Sequence, residues 1–207
     1  MRDWHDWYRQ YDDPDSSHSR RLEVVRACLR EVLTERPRAR LLSLCAGDGR
    51  DTLPVLADFP EVLATLVEMD PDLAETARSQ ATDRVDVRTG DAGTTASYRD
   101  VTPVDLVMVC GVFGNIDDDD AERTVRSLAD MLTPTGVVIW TRGTRKPDDP
   151  STYADPSERV RALFAAAGFA ERTYVCPDDD RFRVGVAELT ATTPRRILGE
   201  QRLFTFR

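Results

Sequence analysis

The sequence predicts an α/β fold built on a mostly parallel sheet that ends in one reversed strand. Three observations predict it. Short β-rich runs alternate with helical patterns between Leu41 and Leu189. The first run empties into a Gly-x-Gly loop that opens a helix, the arrangement of a ligand-binding parallel sheet. The last two runs stand too close in sequence to be parallel neighbours.

Each element follows from local chemistry. Residues 1–15 carry Trp4, Trp7, Tyr8 and Tyr11 among acids and a proline, more large rings than a solvated tail needs. This arm is expected to pack, either as a lid over a site or as a staple to the sheet or to a second subunit of a homodimer. Ser16 or Ser17 caps a helix in which Leu22, Val25, Cys28, Leu29, Val32 and Leu33 recur with a 3.6-residue period, stopping before Pro37. Residues 1–37 are therefore expected to form an arm and capping helix, and 38–207 the core, of a single domain.

Strands are expected at 41–44, 63–68, 85–89, 104–110 and 136–140, with helices near 52–57, 71–81 and 121–132. Asp70-Pro71 reads as an N-cap followed by a first-turn proline. Gly168 closes a helix carrying Val160, Leu163, Phe164 and Ala167. Runs 171–176 and 182–189 are joined by residues 177–181 alone, whereas a parallel crossover needs about a dozen residues or more, so they form an antiparallel hairpin. Residues 193–207 carry no readable pattern.

Composition excludes several functions. Lys+Arg 28 against Asp+Glu 37 gives a net charge of −9, which repels phosphate backbones and disfavours nucleic acid as a partner. The longest apolar run, 106–114, is about half a bilayer crossing, and residues 1–6 lack the apolar core of a secretory signal. Neither membrane insertion nor export is expected. Four cysteines without a Cys-x-x-Cys pair read as reduced, hence cytoplasmic. With only His5 and His18, a zinc site or a Ser-His-Asp triad would have to draw on the N-terminal arm. Residues 117–120, four consecutive aspartates, read as a helix cap favoured by the helix dipole, so no metal is expected.

The densest signal is 41–51, an apolar strand running into Gly47-Asp48-Gly49 and a helix start. Glycines there let backbone approach a ligand at the carboxyl edge of the strand. Glu68 follows Gly49 by 19 residues, at the end of the second strand, where a carboxylate accepts both hydroxyls of a ribose. A dinucleotide fingerprint would place glycine at Thr52, and Asp48 would repel a pyrophosphate, so a phosphate-free nucleoside fits better. Gly90-Asp91-Ala92 offers a carboxylate to an exocyclic amine such as adenine's. Cys110-Gly111 and Asn115 lie beyond the fourth strand.

At these residues the sequence resembles the class I S-adenosylmethionine-dependent methyltransferases over roughly residues 38–190. Residues 43–49 match the glycine-loop motif, 67–71 the acidic second-strand end, 90–92 the adenine motif, 104–116 the fourth strand and its loop, and 132–136 the turn before the fifth. The resemblance implies a Rossmann-like three-layer sandwich whose seven-stranded, mostly parallel sheet has an antiparallel C-terminal strand. It also implies S-adenosylmethionine as cofactor and S-adenosylhomocysteine as product.

By the same resemblance, Ser43, Cys45, Ala46, Gly47, Gly49, Glu68, Met69, Asp91, Ala92, Cys110 and Gly111 would form the cofactor site. Two positions depart from the family's pattern: Ser43 stands for an acid and Cys45 for a glycine. Asp48 or the N-terminal arm is then expected to meet the cofactor's ammonium group. His5 and Asn115 are the candidate catalytic residues, and Trp4, Trp7, Tyr8, Tyr11 and Arg142 the candidate acceptor contacts. The expected reaction is in-line methyl transfer to an O or N nucleophile of a small molecule, with a non-catalytic cofactor-binding module as the alternative.

Overall fold

The computed structural model describes residues 9–144, 155–178, 180–191 and 199–207. Trp4, His5, Trp7 and Tyr8 lie outside the described residues. A short 3-10 turn, Arg9–Asp12, leads into α1, Ser17–Glu35. Ser16 caps this helix, its Oγ accepting from the Ser19 amide at 3.0 Å. There follow β1 (Arg40–Leu44), a one-turn α2 (Leu53–Leu56), β2 (Leu63–Glu68), α3 (Pro71–Gln80), β3 (Val85–Thr89), β4 (Val104–Val109), α4 (Asp118–Met131), β5 (Leu132–Gly143), α5 (Pro156–Ala166), β6 (Phe169–Val175) and β7 (Phe182–Leu189).

The seven strands run in the order β3-β2-β1-β4-β5-β7-β6. β1 to β5 pair in parallel, and β7 lies antiparallel to both β5 and β6. The reversed strand expected from the five-residue spacer is therefore β7, wedged between two strands of opposite direction. The order reverses between β1 and β4, and the loops that follow these two strands diverge there to leave a crevice at the carboxyl edge.

Alternate residues of each strand feed two cores, which makes the molecule three layers deep. On one face Leu41, Leu66, Leu106, Met108 and Ile139 pack under Val25, Leu29, Val32 and Leu33 of α1 and Ala74 and Ala77 of α3. On the other, Leu42, Val107, Val109, Val138 and Trp140 pack under Val125 and Leu128 of α4 and Val160 and Phe164 of α5. Trp140 stacks on Phe164 with centroids 5.8 Å apart and occupies the space left by the missing side chain at Gly185.

Three expectations shift. The helix at 52–57 shrinks to the single turn of α2, because residues 46–52 are consumed by tight backbone turns. The fifth strand is longer than 136–140, since Leu132 already pairs with Val104 before a register shift restores pairing at Val137. The patternless C-terminal region proves to be structural. Leu203 and Phe204 are buried against the second core, and residues 199–207 run back across the carboxyl edge.

Candidate active site

The loop after β1 is shaped by three left-handed residues in five positions. Cys45, Gly47 and Gly49 have φ of 57, 60 and 75°. At Gly49 a Cβ would sit 2.6 Å from Leu53 Cδ1, so glycine is required both by conformation and by the close approach of α2. Cys45 adopts the same left-handed region with a side chain, a strained choice for a non-glycine residue.

Glu68, at the end of β2, ties this loop to the next. Its Oε2 accepts from the Gly47 amide and its Oε1 from the Asp70 amide, both at 2.8 Å. Each oxygen keeps a further lone pair for a ligand. Next to it Met69 is 59% exposed, one of two large apolar side chains so placed among the described residues, and it offers a flat ligand ring an apolar face.

Beyond β3, Asp91 Oδ1 accepts from the Gly93 amide at 2.8 Å and Oδ2 pairs with Arg202 Nη1 at 3.0 Å, while Ala92 is buried. Beyond β4, Gly111 has φ of 76° and donates its amide to Thr141 Oγ1 at 2.8 Å. Asn115 folds back over the same turn, Nδ2 donating to the Gly111 carbonyl at 2.6 Å. Gly47, Gly49, Glu68, Met69, Asp91, Ala92, Cys110, Gly111 and Asn115 thus all lie along one edge of the sheet, where β1 to β4 end.

Two concavities open along that edge. A cavity of about 50 Å³ is lined by Cys45, Ala46, Asp51, Cys110 and Gly111 below and by Tyr11, Arg21 and Arg50 above. A cleft of about 1340 Å³ continues from Gly111 past Asn115, Thr141 and Arg142 to His18, Arg181 and Arg207. The Arg142 guanidinium fits because position 114 is glycine; its Nη1 is 3.1 Å from where a Cβ would stand.

The structure brings to the small cavity a different acid from the one expected. Ser43 is buried in β1 between Leu66 of β2 and Met108 of β4. Asp48, expected as a substitute, is held by its neighbour: Arg50 Nε and Nη2 reach its Oδ2 at 2.9 and 2.6 Å. Asp51 is the carboxylate that lines the small cavity. Burial raises its pKa, with nearby Asp48 adding to the shift and the hydrogen bond from Thr52 Oγ1 at 2.9 Å opposing it.

Sequence reasoning also passed over His18, Arg21 and the C-terminal tail. Tyr11 accepts from Arg21 Nη2 at 2.5 Å, and the Arg50 guanidinium lies 4.5 Å from its ring centre, so Tyr11 is fixed as a roof over the small cavity. The His18 ring meets Tyr11 edge-on at 5.5 Å, inside the larger cleft. Burial, reinforced by the Arg21 charge and opposed by Asp180, lowers its pKa to about 4. The imidazole is therefore neutral near pH 7, with an unprotonated ring nitrogen but weakened basicity.

Residues 41–136, the span from β1 into β5, match the methyltransferase domain family. This matched span, just under half of the chain, is what makes the chain similar to the methyltransferases. Solved structures agree on the Rossmann-like fold. The magnesium protoporphyrin IX methyltransferase of Synechocystis, solved with S-adenosylmethionine bound, superposes with a TM-score of 0.67 at 15% identity, covering 89% of this chain and 90% of that one. A possible exported protein from Bordetella parapertussis gives 0.67 at 18% identity over 84% and 68%. An O-methyltransferase family protein from Burkholderia thailandensis gives 0.61 at 15% identity over 92% and 70%. Other neighbours are longer: the chain spans 50% of the pyocyanin biosynthetic protein PhzM and 50% of an O-methyltransferase family 2 protein from Planctomyces limnophilus. No curated protein sequence matches the chain.

The matched residues stop inside β5, at Gly136. The larger cleft takes Gly111, Gly114 and Asn115 from the matched span and the rest of its wall, including Thr141, Arg142, Arg181 and Arg207, from outside it.

Proposed function

We propose that the protein transfers a methyl group from S-adenosylmethionine to an oxygen or nitrogen nucleophile of a small molecule. The observation that carries this reading is the convergence, on one sheet edge, of a left-handed glycine loop, the Glu68 carboxylate, the exposed Met69 and the Asp91 carboxylate, with an open cleft beside Gly111. Gly47 and Gly49 leave room for backbone contact, Glu68 meets the ribose hydroxyls, Met69 covers the adenine, and Asp91 with the buried Ala92 reads its edge. Asp51 meets the ammonium end, since a cation beside a carboxyl whose charged form is disfavoured by burial restores that charge. The absence of a third glycine at Thr52 and the acids around the loop speak against a pyrophosphate.

S-adenosylmethionine supplies an activated methyl group on a sulfonium and is released as S-adenosylhomocysteine. The protein's part is alignment and the exclusion of water. Tyr11, held by Arg21 and Arg50, closes the methionine side, and Gly111 with Cys110 forms the floor between cofactor and acceptor. The larger cleft takes the acceptor: Asn115 and Arg142 orient its polar groups, and neutral His18 accepts the proton that a hydroxyl or amine gives up. Positioning of this kind supplies up to roughly 7–11 kcal/mol. A net charge of −9 keeps nucleic acid disfavoured, and the four free cysteines suit a reducing, cytoplasmic setting.

Calorimetry with S-adenosylmethionine, S-adenosylhomocysteine and NAD tests the cofactor. Tighter binding of NAD than of either adenosyl ligand would overturn the reading. Incubation with methyl-labelled cofactor and a metabolite extract, followed by mass spectrometry, tests turnover: a labelled small molecule is expected, and label found only on macromolecules would refute the acceptor class.

A further inference from the structure

The C-terminal tail reaches the proposed adenine subsite from a direction that the matched domain does not include. Gln201 is bound twice to the turn after β3: its carbonyl accepts from the Thr95 amide at 3.0 Å, and its amide donates to Thr95 Oγ1 at 2.9 Å. The Leu203 amide donates to the Gly93 carbonyl at 2.7 Å, and Thr94 and Arg202 form an antiparallel bridge. Leu203 and Phe204 are buried, and the backbone of Phe204 lies where a Cβ on Gly93 would stand. Further along, the Thr205 amide donates to Asp120 Oδ2 at 2.8 Å and the Arg207 amide to the Asn115 carbonyl at 2.9 Å. The tail is thus fastened at both ends of the cofactor edge, beside Asp91 and beside Asn115.

Between these anchors Arg202 holds Asp91. One carboxylate oxygen takes the Gly93 amide and the other takes the guanidinium, which fixes the carboxylate plane and leaves its remaining lone pairs in set directions. We infer that Arg202 is a positioning residue for the adenine subsite, acting through Asp91 to select a purine that bears an exocyclic amine. This rests on the cofactor reading above. The chemistry is one of donor recognition. An amine donates to the ordered carboxylate, whereas a purine with a carbonyl at that position presents lone pairs to it and gains nothing from its orientation.

The test uses the full chain and two probes, S-adenosylhomocysteine and S-inosylhomocysteine, which carry an amine and a carbonyl at the same ring carbon. Arg202→Ala is expected to weaken S-adenosylhomocysteine binding by about 5- to 30-fold, the size of one well-made charged contact. Arg202→Lys keeps a cation and recovers most of that loss. For S-inosylhomocysteine the same Ala variant loses no more than about two-fold, because the contact it disturbs is absent. Thermal melting confirms that each variant is folded; the Arg202 side chain is 53% exposed and fills no core position. Equal losses for both probes would show that the tail merely braces the loop and would overturn the inference. Unchanged or tighter binding in Arg202→Ala would overturn it too, the latter making Arg202 an obstruction. Failure of the unmodified protein to bind S-adenosylhomocysteine would instead remove the cofactor reading itself.

Discussion

Glu68 joins two turns of the proposed cofactor site, so exchanging it for glutamine separates its structural work from its ligand work. The carboxylate accepts the Gly47 and Asp70 amides, each at 2.8 Å. Glutamine has the same shape but only one oxygen, so one of the two amides faces an NH2 group. A donor left unsatisfied in a buried setting costs about 1–3 kcal/mol. Gly47 is buried and Glu68 half-buried, which places Glu68→Gln in the lower half of that range. A domain of this size loses about 2–4 °C of melting temperature per kcal/mol, so a fall of roughly 2–8 °C is expected by calorimetric or dye-monitored melting. The same exchange removes a charged acceptor for the ribose hydroxyls, a contact of about 1.5–3 kcal/mol, and weakens S-adenosylhomocysteine by roughly ten- to a hundredfold in titration calorimetry. Wild-type melting together with wild-type affinity would refute the reasoning. A lowered melting temperature with intact affinity would keep the loop tie and discard the ribose contact.

Asp51→Asn is expected to weaken S-adenosylmethionine by about tenfold through loss of the ammonium's counter-charge, and to lack the fall in affinity expected of the unmodified protein as acid protonates this raised carboxyl; pH-dependent titrations of both proteins check it. His18, lowered from 6.5 to about 4 in the folded state, binds its proton more readily when unfolded, so its contribution to stability is present above about pH 6.5 and is lost as pH falls toward 4. Because the ring is only partly buried, the loss is about 1–2 kcal/mol, and urea melts of His18→Phe should be flatter than wild type across that window. The same variant is expected to slow turnover on the order of a hundredfold with cofactor affinity unchanged. Gly185→Ala places a methyl group into the Trp140 indole and should cost about 1–3 kcal/mol or more, read as a lowered melting temperature with the far-ultraviolet spectrum preserved.

How much could be read in advance depended on how local the determining interactions are. The strands, the loop at Gly47 and Gly49, and the placing of Glu68 and Asp91 at strand ends all follow from patterns a few residues long. The reversal of β7 followed from a five-residue spacer. His18 was hidden because its value lies in its neighbours Arg21, Tyr11 and Asp180, which only the fold brings to it. The tail was hidden for a related reason. It has neither strand nor helix period, since its hydrogen bonds go to residues far back in the chain, as from Gln201 to Thr95 and from Thr205 to Asp120. The cluster Leu203-Phe204 in an otherwise polar stretch was the one signal that this segment is buried.

The two departures from the family's glycine-loop pattern become intelligible together. At Ser43 a carboxylate would stand in the closed middle of the sheet, beside Leu66 and Met108, where burial strongly disfavours its charge unless a cation is always present. In the proposed site the acid is instead Asp51, at the mouth of the one-turn α2, half-buried, hydrogen-bonded by Thr52 and on the wall of the small cavity. Cys45 also lines that cavity, so its strained left-handed backbone sets a thiol, where glycine would leave space, against the ligand's path. Both residues bear on the small cavity and leave Glu68 and Asp91 in place at the neighbouring strand ends. The proposed acceptor cleft shares Gly111 and Asn115 with that edge but draws most of its wall from the N-terminal end of α1, the β5 and β7 ends and Arg207, so most of its shape can vary without disturbing Glu68 or Asp91.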